Sequence, residues 1–233
     1  MSFPPGLILV LGGLLLPAVR GRAREASVWI LPLLTLAAVW LVPEGHIVGV
    51  EFMGYDLEPL HWSTTGRVFA TVFAIMAFAG GVYALRVANL LELVSAFVYA
   101  GSAIGVTFAG DLITLFVFWE VMAIASTLVI WASDQPGAYG ASMRYLLVHL
   151  FGGVLLMFGI VSHVASTGSV AFVAMTPDTL AQQLILAGFL VNAGAPPLSA
   201  WIADAYPEAS PSGMVFLSAF TTKTAVFTLL VGF

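Results

Sequence analysis

Long apolar segments separated by short polar ones make up most of this chain, and their spacing predicts helices that cross a membrane. An α-helix rises about 1.5 Å per residue, so about 20 apolar residues span the roughly 30 Å hydrocarbon core of a bilayer. The sequence predicts an all-α integral membrane protein of about eight transmembrane helices. The predicted spans are residues 5–19, 27–42, 67–85, 89–108, 111–131, 141–165, 180–201 and 212–233.

One polar interruption, residues 43–62, has a different pattern from the other connections. It contains four acidic residues and two histidines, and its apolar residues Val48, Val50 and Phe52 alternate with other residues. Alternation with a period of two predicts a short β-hairpin outside the membrane. We therefore divide the chain into residues 1–64, which hold two helices and this hairpin, and a core of residues 65–233.

The composition excludes several classes of protein. Of the 233 residues, 61% are hydrophobic and only 8% are charged, which no soluble domain of this size shows. The chain has no cysteine, so disulfides and thiolate metal sites are excluded. Its net charge of −5 is spread over loops and argues against nucleic acid as a partner. No nucleotide-binding, metalloprotease or catalytic-triad motif is present, so we expect no cofactor, no metal and no bond-making chemistry.

The arginines predict the orientation in the membrane. Five of the six fall on one side of the eight-span scheme, and only one falls on the other side, together with the hairpin. Positive charge is enriched in cytoplasmic loops, so we expect a multi-pass protein of the cell's inner (plasma) membrane whose N-terminus and hairpin face outward. The five on the cytoplasmic side are Arg20, Arg22, Arg24, Arg86 and Arg144, and the sixth is Arg67.

A single carboxylate, Glu120, lies in the middle of the fifth predicted span, in the run FVFWEVMAIASTLVIW. The helical rise places it roughly 13 Å inside the membrane. A carboxylate at that depth costs about 2.5 kcal/mol or more, so it marks a functional site with a partner elsewhere in the bundle. The alternative is a structural glutamate that is hydrogen-bonded inside the bundle and fixes its packing.

Three further polar residues are predicted near the same depth. Lys223, the only lysine, lies roughly 16 Å from the opposite face if Ser212 caps the eighth span. Asn192 in the seventh span and His149 in the sixth fall near the same level. Together with Glu120 they predict a hydrated polar axis, although His149 alone is equally explained as a core histidine with satisfied hydrogen bonds.

The seventh span is predicted to be broken. Its stretch LVNAGAPPLSAW contains Gly194, Pro196 and Pro197, which do not continue a regular helix. Broken helices at membrane depth expose backbone groups and mark ion or substrate paths in transporters. The alternative is a proline kink that serves packing only.

Two separated runs resemble one known family. FVFWEVMAIASTLVIW resembles the helix-five signature of the antiporter-like membrane subunits: the D-type subunit of Mrp Na⁺/H⁺ antiporters and the homologous proton-translocating subunits of respiratory complex I and membrane-bound hydrogenases. A second match runs from Leu190 through Asp-Ala-Tyr-Pro at 204–207 to Thr-Lys-Thr at 222–224, and looks closest to the D-type Mrp subunit. The resemblance covers roughly residues 65–233.

The resemblance implies roles for the polar residues. In this family the counterpart of Glu120 pairs with a lysine, and the counterpart of Lys223 belongs to the central proton path. The family usually has a lysine where this chain has Asn192, which cannot ionise. Three alternatives follow: Lys223 pairs directly with Glu120, His149 and water bridge the gap, or this half no longer conducts.

The resemblance also has consequences for length. Family members have about fourteen helices, of which helices four to eight and nine to thirteen form two inverted repeats. This chain ends within the eighth predicted helix, so we expect it to hold only the first repeat. It is then a fragment, a split gene product or half of a two-chain subunit.

The function favoured by these residues is that of a membrane subunit of a multisubunit monovalent cation/proton antiporter. Its partners are other subunits, and protons and Na⁺ or K⁺ are the transported ions. Glu120 and Lys223 form a buried pair that releases a proton when a conformational change separates the two charges. One alternative is a proton-translocating subunit of a complex I-like or hydrogenase complex. Another is a non-conducting scaffold whose relay is disabled at Asn192.

Overall fold

The structure is a computed structural model that describes residues 3–233, and within that range it contains ten α-helices and one β-hairpin. Two short 3₁₀ turns, Leu16–Ala18 and Tyr206–Glu208, complete the regular elements there. In chain order the elements are α1 (Gly6–Leu15), α2 (Arg22–Leu41), β1 (Ile47–Phe52), β2 (Tyr55–His61), α3 (Thr64–Ala84), α4 (Leu90–Phe108), α5 (Leu112–Trp131), α6 (Ala138–Thr167), α7 (Leu180–Ala193), α8 (Ala200–Ala205), α9 (Pro211–Ala219) and α10 (Thr221–Gly232).

The helical membrane architecture is confirmed, whereas the count of eight spans is not. Six stretches in the described chain are long and apolar enough to cross a membrane: α2 to α6, and α9 with α10 taken together. The remaining apolar helices, α1 with 10 residues and α7 with 14, are shorter. The shortness of each helix has a local cause. A 3₁₀ turn containing Pro17 follows α1, and Gly194 in the left-handed conformation ends α7.

The predicted hairpin is present. Strands β1 and β2 pair antiparallel, from Ile47 opposite His61 to Phe52 opposite Tyr55. Met53 and Gly54 both adopt positive φ and form the two-residue turn. The alternating pattern in residues 43–62 therefore predicted this element correctly.

The start of α5 is held from two directions. The Asp111 carboxylate caps the helix by accepting a 2.7 Å hydrogen bond from the Thr114 amide. It also accepts a 2.7 Å bond from the backbone amide of Glu58 in β2. On the other side, two backbone hydrogen bonds of 2.8 Å join residues 110–112 to residues 170–172, which follow α6. The helix that carries Glu120 is thus fixed at its first turn.

Helix α4 lies at the centre of the bundle, with nearly all of its residues buried. It packs closely on α1 because glycines meet at the contact: a Cβ atom added to Gly6 would fall against the backbone of Gly101 and Gly105. Small residues at such positions let membrane helices approach until their backbones touch. Helix α1 therefore packs directly on the central helix of the bundle.

The eighth predicted span differs from the prediction in two ways. Its N-cap is Ser210, whose hydroxyl accepts a 2.8 Å bond from the Gly213 amide, and the prediction of Ser212 as N-cap was wrong. Pro211 then occupies the first helical turn, where its missing N–H has no cost. The span is also broken at Phe220, which separates α9 from α10 although neither glycine nor proline is there.

Candidate functional site

The predicted break in the seventh span is present between α7 and α8. Gly194 ends α7 in the left-handed conformation, and the Pro196–Pro197 bond that follows is cis. The indole N–H of Trp201, at the start of α8, donates a 3.1 Å hydrogen bond back to the carbonyl of Val191. The Val191 carbonyl also accepts a 3.1 Å bond from the Gly194 amide, so the bond from Trp201 is its second and joins the two sides of the break.

Glu120 faces α6 at a point where that helix has no side chain. The residue is half-buried, and its Oε1 atom is buried with no hydrogen-bond partner in the described chain. A Cβ atom placed on Gly153 would overlap this oxygen and lie 3.0 Å from the Glu120 Cδ atom. The glycine therefore provides the space that the carboxylate occupies.

Asn192 lies beside the neighbouring glycine of the same helix. Its side chain is fully buried, and neither its amide nitrogen nor its oxygen has a hydrogen-bond partner among the described residues. Its Oδ1 atom lies 3.2 Å from the position that a Cβ on Gly152 would take. Glu120 from α5 and Asn192 from α7 thus lie against adjacent glycines of α6.

His149 lies one helical turn before these glycines, on α6 itself. Its ring is buried, and Nδ1 is 2.9 Å from the carbonyl oxygen of Tyr145. The ring also stacks on that of Tyr145 at 3.9 Å and meets the edge of Trp201 at 4.7 Å. Nε2 is buried without a hydrogen-bond partner in the described chain, so this histidine is only half satisfied.

Lys223 is not part of this group. Its side chain is exposed, and its Nζ atom is 3.2 Å from the hydroxyl of Thr222. The ion pairs of the described chain are Glu58–His61 and Arg144–Asp204, so Glu120 and Lys223 do not form one here. The helical period explains this, because Lys223 shares the outer face of α10 with exposed Val226 and Leu230. Three of the four predicted residues therefore come together, and the lysine does not.

A cluster of buried hydroxyl groups was not predicted from the sequence. The Tyr99 hydroxyl bonds both the hydroxyl and the backbone amide of Thr221, the first residue of α10. The Tyr145 hydroxyl donates to Ser126 at 3.0 Å and lies 3.3 Å from the Thr221 hydroxyl. Hydroxyls from four helices thus meet at the break in the eighth span. The available signal was the presence of tyrosines inside two apolar spans.

Two charged groups at the end of the bundle predicted to be cytoplasmic also have partners. Glu92 is not a solvated helix end, because it is 1% exposed and accepts a hydrogen bond from the Ser212 hydroxyl. Asp204 receives two bonds from Arg144, at 2.7 and 2.8 Å, and these bonds hold the pKa of Asp204 below its ordinary value. No group of three or more metal-ligating side chains occurs among residues 3–233.

Solved structures similar to this chain are membrane complexes. One is the membrane-bound sulfane sulfur reductase, described as an archaeal respiratory membrane complex, with a TM-score of 0.82 and 27% identity over 97% of this chain and 40% of that one. Another is the Mrp complex from Dietzia sp. DQ12-45-1b, with a TM-score of 0.83 and 23% identity over 97% of this chain and 46% of that one. The second likeness concerns the fold alone.

Two curated relatives point the same way. The NADH-quinone oxidoreductase subunit N of Beutenbergia cavernae is 32% identical over 53% of this chain and 25% of its own length. The A-type Na⁺/H⁺ antiporter subunit of Alkalihalophilus pseudofirmus is 27% identical over 55% of this chain and 17% of its own length. The chain thus spans a quarter or less of these relatives. Neither is a D-type Mrp subunit, and closeness to that type stays a prediction.

Residues 109–233, more than half of the chain, match the family described as NADH:quinone oxidoreductase/Mrp antiporter, transmembrane. That region contains α5 to α10, and with them Glu120, His149, Asn192 and both helix breaks. This chain is therefore a multi-pass membrane protein that belongs to the NADH:quinone oxidoreductase/Mrp antiporter transmembrane family.

Proposed function

We propose that this chain is a membrane subunit of a multisubunit monovalent cation/proton antiporter and contributes a proton half-channel. The observation that supports this most directly is the group of Glu120, His149 and Asn192 around one stretch of α6. Each carries a buried polar atom with no hydrogen-bond partner in the described chain. Such groups are costly inside a membrane and mark ion pathways in membrane proteins.

Each residue can do different chemistry in such a pathway. The Glu120 carboxylate can take up and release a proton, and the Nε2 atom of His149 can do the same. The Asn192 amide can donate and accept hydrogen bonds, so it can orient water, but it cannot carry the proton itself. In the proposed pathway Glu120 is the exchanging group, and His149 supplies the ionisable neighbour that Asn192 does not.

Lys223 lies on the outer face of α10, and the proposed function includes it. An ammonium group facing lipid at membrane depth is costly, so we propose that another part of the assembled complex covers it. A movement of α10 relative to α5 would then bring the lysine toward Glu120 or away from it. In the proposed cycle each group exchanges its proton independently when the two are not paired, and they form no ion pair in the described chain.

Removing the two ionisable groups tests the proposal. In the assembled complex, reconstituted in vesicles, Glu120→Gln and Lys223→Ala should each abolish proton-coupled cation transport. Glu120→Asp should keep part of it, because the carboxylate remains. If both variants assemble normally and transport like wild type, the chain is a scaffold whose relay is disabled at Asn192, and the proposed half-channel is absent.

A second candidate is a proton-translocating subunit of a redox-driven complex. The 32% identity to an NADH-quinone oxidoreductase subunit N favours it. Both functions use the same buried groups, so this chain's site does not separate them. Purification of the native complex distinguishes the two functions. Bound flavin or iron–sulfur centres support the redox-driven complex. Sodium- or potassium-dependent proton movement without an electron donor supports the antiporter.

A further inference from the structure

The break between α9 and α10 separates a backbone amide and a backbone carbonyl that bond each other in a regular helix. In an unbroken α-helix the amide of Thr221 donates to the carbonyl of Leu217, four residues earlier. Here Phe220 has φ −114° and ψ −66°, which departs from helical geometry. The Thr221 amide turns instead to the side chain of Tyr99. Leu217 and Thr221 are both buried, and an unpaired backbone group is costly in such surroundings.

Two tyrosine hydroxyls form hydrogen bonds with the separated carbonyl and amide. The Tyr206 hydroxyl donates a 2.8 Å hydrogen bond to the Leu217 carbonyl, and the Tyr99 hydroxyl accepts a 2.8 Å bond from the Thr221 amide. Burial raises the pKa of Tyr206, so its hydroxyl keeps the proton that it donates. Tyr99 is fully buried in α4, and Tyr206 lies in the turn after α8. Tyr99 precedes Thr221 by 122 residues, and Tyr206 precedes Leu217 by 11.

We propose that Tyr99 and Tyr206 are positioning residues that hold this helix open and thereby set the direction of Lys223. Lys223 lies two residues after Thr221, in the first turn of α10. The alternative arrangement is the unbroken helix, in which Leu217 and Thr221 bond each other and both tyrosines withdraw. Closing the helix changes the backbone angles at Phe220 and so rotates α10 and its lysine relative to α9. This inference deepens the proposed function, since it concerns how Lys223 is presented.

Tyr206 also links this break to the one in the seventh span. Its ring meets that of Trp201 at 6.1 Å, and Trp201 bonds the Val191 carbonyl across the other break. A single short segment, α8 and the 3₁₀ turn after it, therefore carries a hydrogen-bond donor to each discontinuity. A movement of that segment reaches both α7, which carries Asn192, and the end of α9, where the break begins.

The experiment removes the hydroxyls separately and together. In the assembled complex, Tyr99→Phe and Tyr206→Phe should each lower the thermal unfolding midpoint, because each leaves one buried backbone group unpaired. Each should also reduce transport about ten-fold, because the break then no longer holds Lys223 in its direction. The double variant should recover the unfolding midpoint of wild type, because the freed amide and carbonyl then bond each other. Its transport should stay low, since the closed helix presents Lys223 differently. Tyr83→Phe, at an exposed tyrosine of α3, is the control.

Hydrogen exchange of the peptide that contains Thr221 gives a readout independent of transport. Exchange should be faster than wild type in Tyr99→Phe and slow again in the double variant. Additive loss of stability, or wild-type transport in both single variants, would overturn the inference. If the exchange pattern holds but Lys223→Ala transports normally, the tyrosines hold the break as inferred and only the proposed proton function is wrong.

Discussion

Substituting Gly153 with alanine changes the surroundings of Glu120 by a single methyl group. The added carbon falls on the Glu120 Oε1 atom, which must move to reach an ordinary contact of roughly 3.5 Å. The required displacement is therefore roughly 1 Å, and it falls on the end of a flexible side chain and not on the backbone. The change consequently alters the position of the carboxylate with little disturbance of the fold.

The expected cost lies in transport and not in stability. Misplacing a reacting group by 1 Å reduces rates by about 10²-fold, which corresponds to about 2.7 kcal/mol. Alanine in a helix is favoured over glycine by about 0.5–1 kcal/mol, so the unfolding midpoint of Gly153→Ala should not fall. The assay is the initial rate of proton-coupled cation transport by the complex in vesicles, compared at equal amounts of assembled protein.

Two further variants make the experiment decisive. Gly140→Ala, in the same helix, adds a methyl group 3.2 Å from the exposed Arg144 guanidinium and should transport like wild type. Glu120→Asp withdraws the carboxylate by about one carbon–carbon bond, so it should partly restore transport when combined with Gly153→Ala. Wild-type transport in Gly153→Ala, or a double variant no better than it, refutes the reasoning that Gly153 positions Glu120.

The remaining predictions concern neighbouring residues and the topology. Asn192→Lys places an ionisable group across the glycine pair from Glu120, so the transport rate should stay intact or rise, provided that the complex assembles. His149→Ala should lower that rate nearly as far as Glu120→Gln if the histidine replaces the missing lysine, and an unchanged rate excludes that role. Cysteines placed in residues 44–62 and 132–140 should react with an impermeant reagent from opposite sides of the membrane. Labelling of both from one side contradicts the predicted orientation, and the absence of native cysteine in this chain keeps the test clean.

The features that sequence reasoning predicted correctly are encoded locally. The hairpin follows from alternation within residues 43–62, and the first break follows from Gly194 and two prolines. Each signal acts over a few residues. Counting the constant helical rise also predicted a common level for Glu120, His149 and Asn192, and the three lie around one stretch of α6, whereas their depth in a membrane stays a prediction.

The features that it missed depend on residues far apart in the chain. The break at Phe220 has no glycine or proline, and one of its hydrogen bonds comes from Tyr99, 122 residues earlier. Counting residues predicts how far along its span Lys223 lies but not the direction in which it points around the helix axis, which packing decides. The burial of Glu92 likewise depends on packing, since only the fold shows that Ser212 of α9 bonds its carboxylate.

The two anchors of α5 set an order of events during synthesis. Its first turn is bonded to Glu58, which is made 53 residues before Asp111, and to residues 170–172, which are made only after α6 is complete. A nascent chain that stops short of residue 172 therefore holds the helix from one direction only. The second anchor closes when α6 has turned back, so the register of the helix that carries Glu120 becomes final late in biogenesis. Translation must therefore proceed 52 residues beyond Glu120, to Phe172, before both anchors of its helix can form.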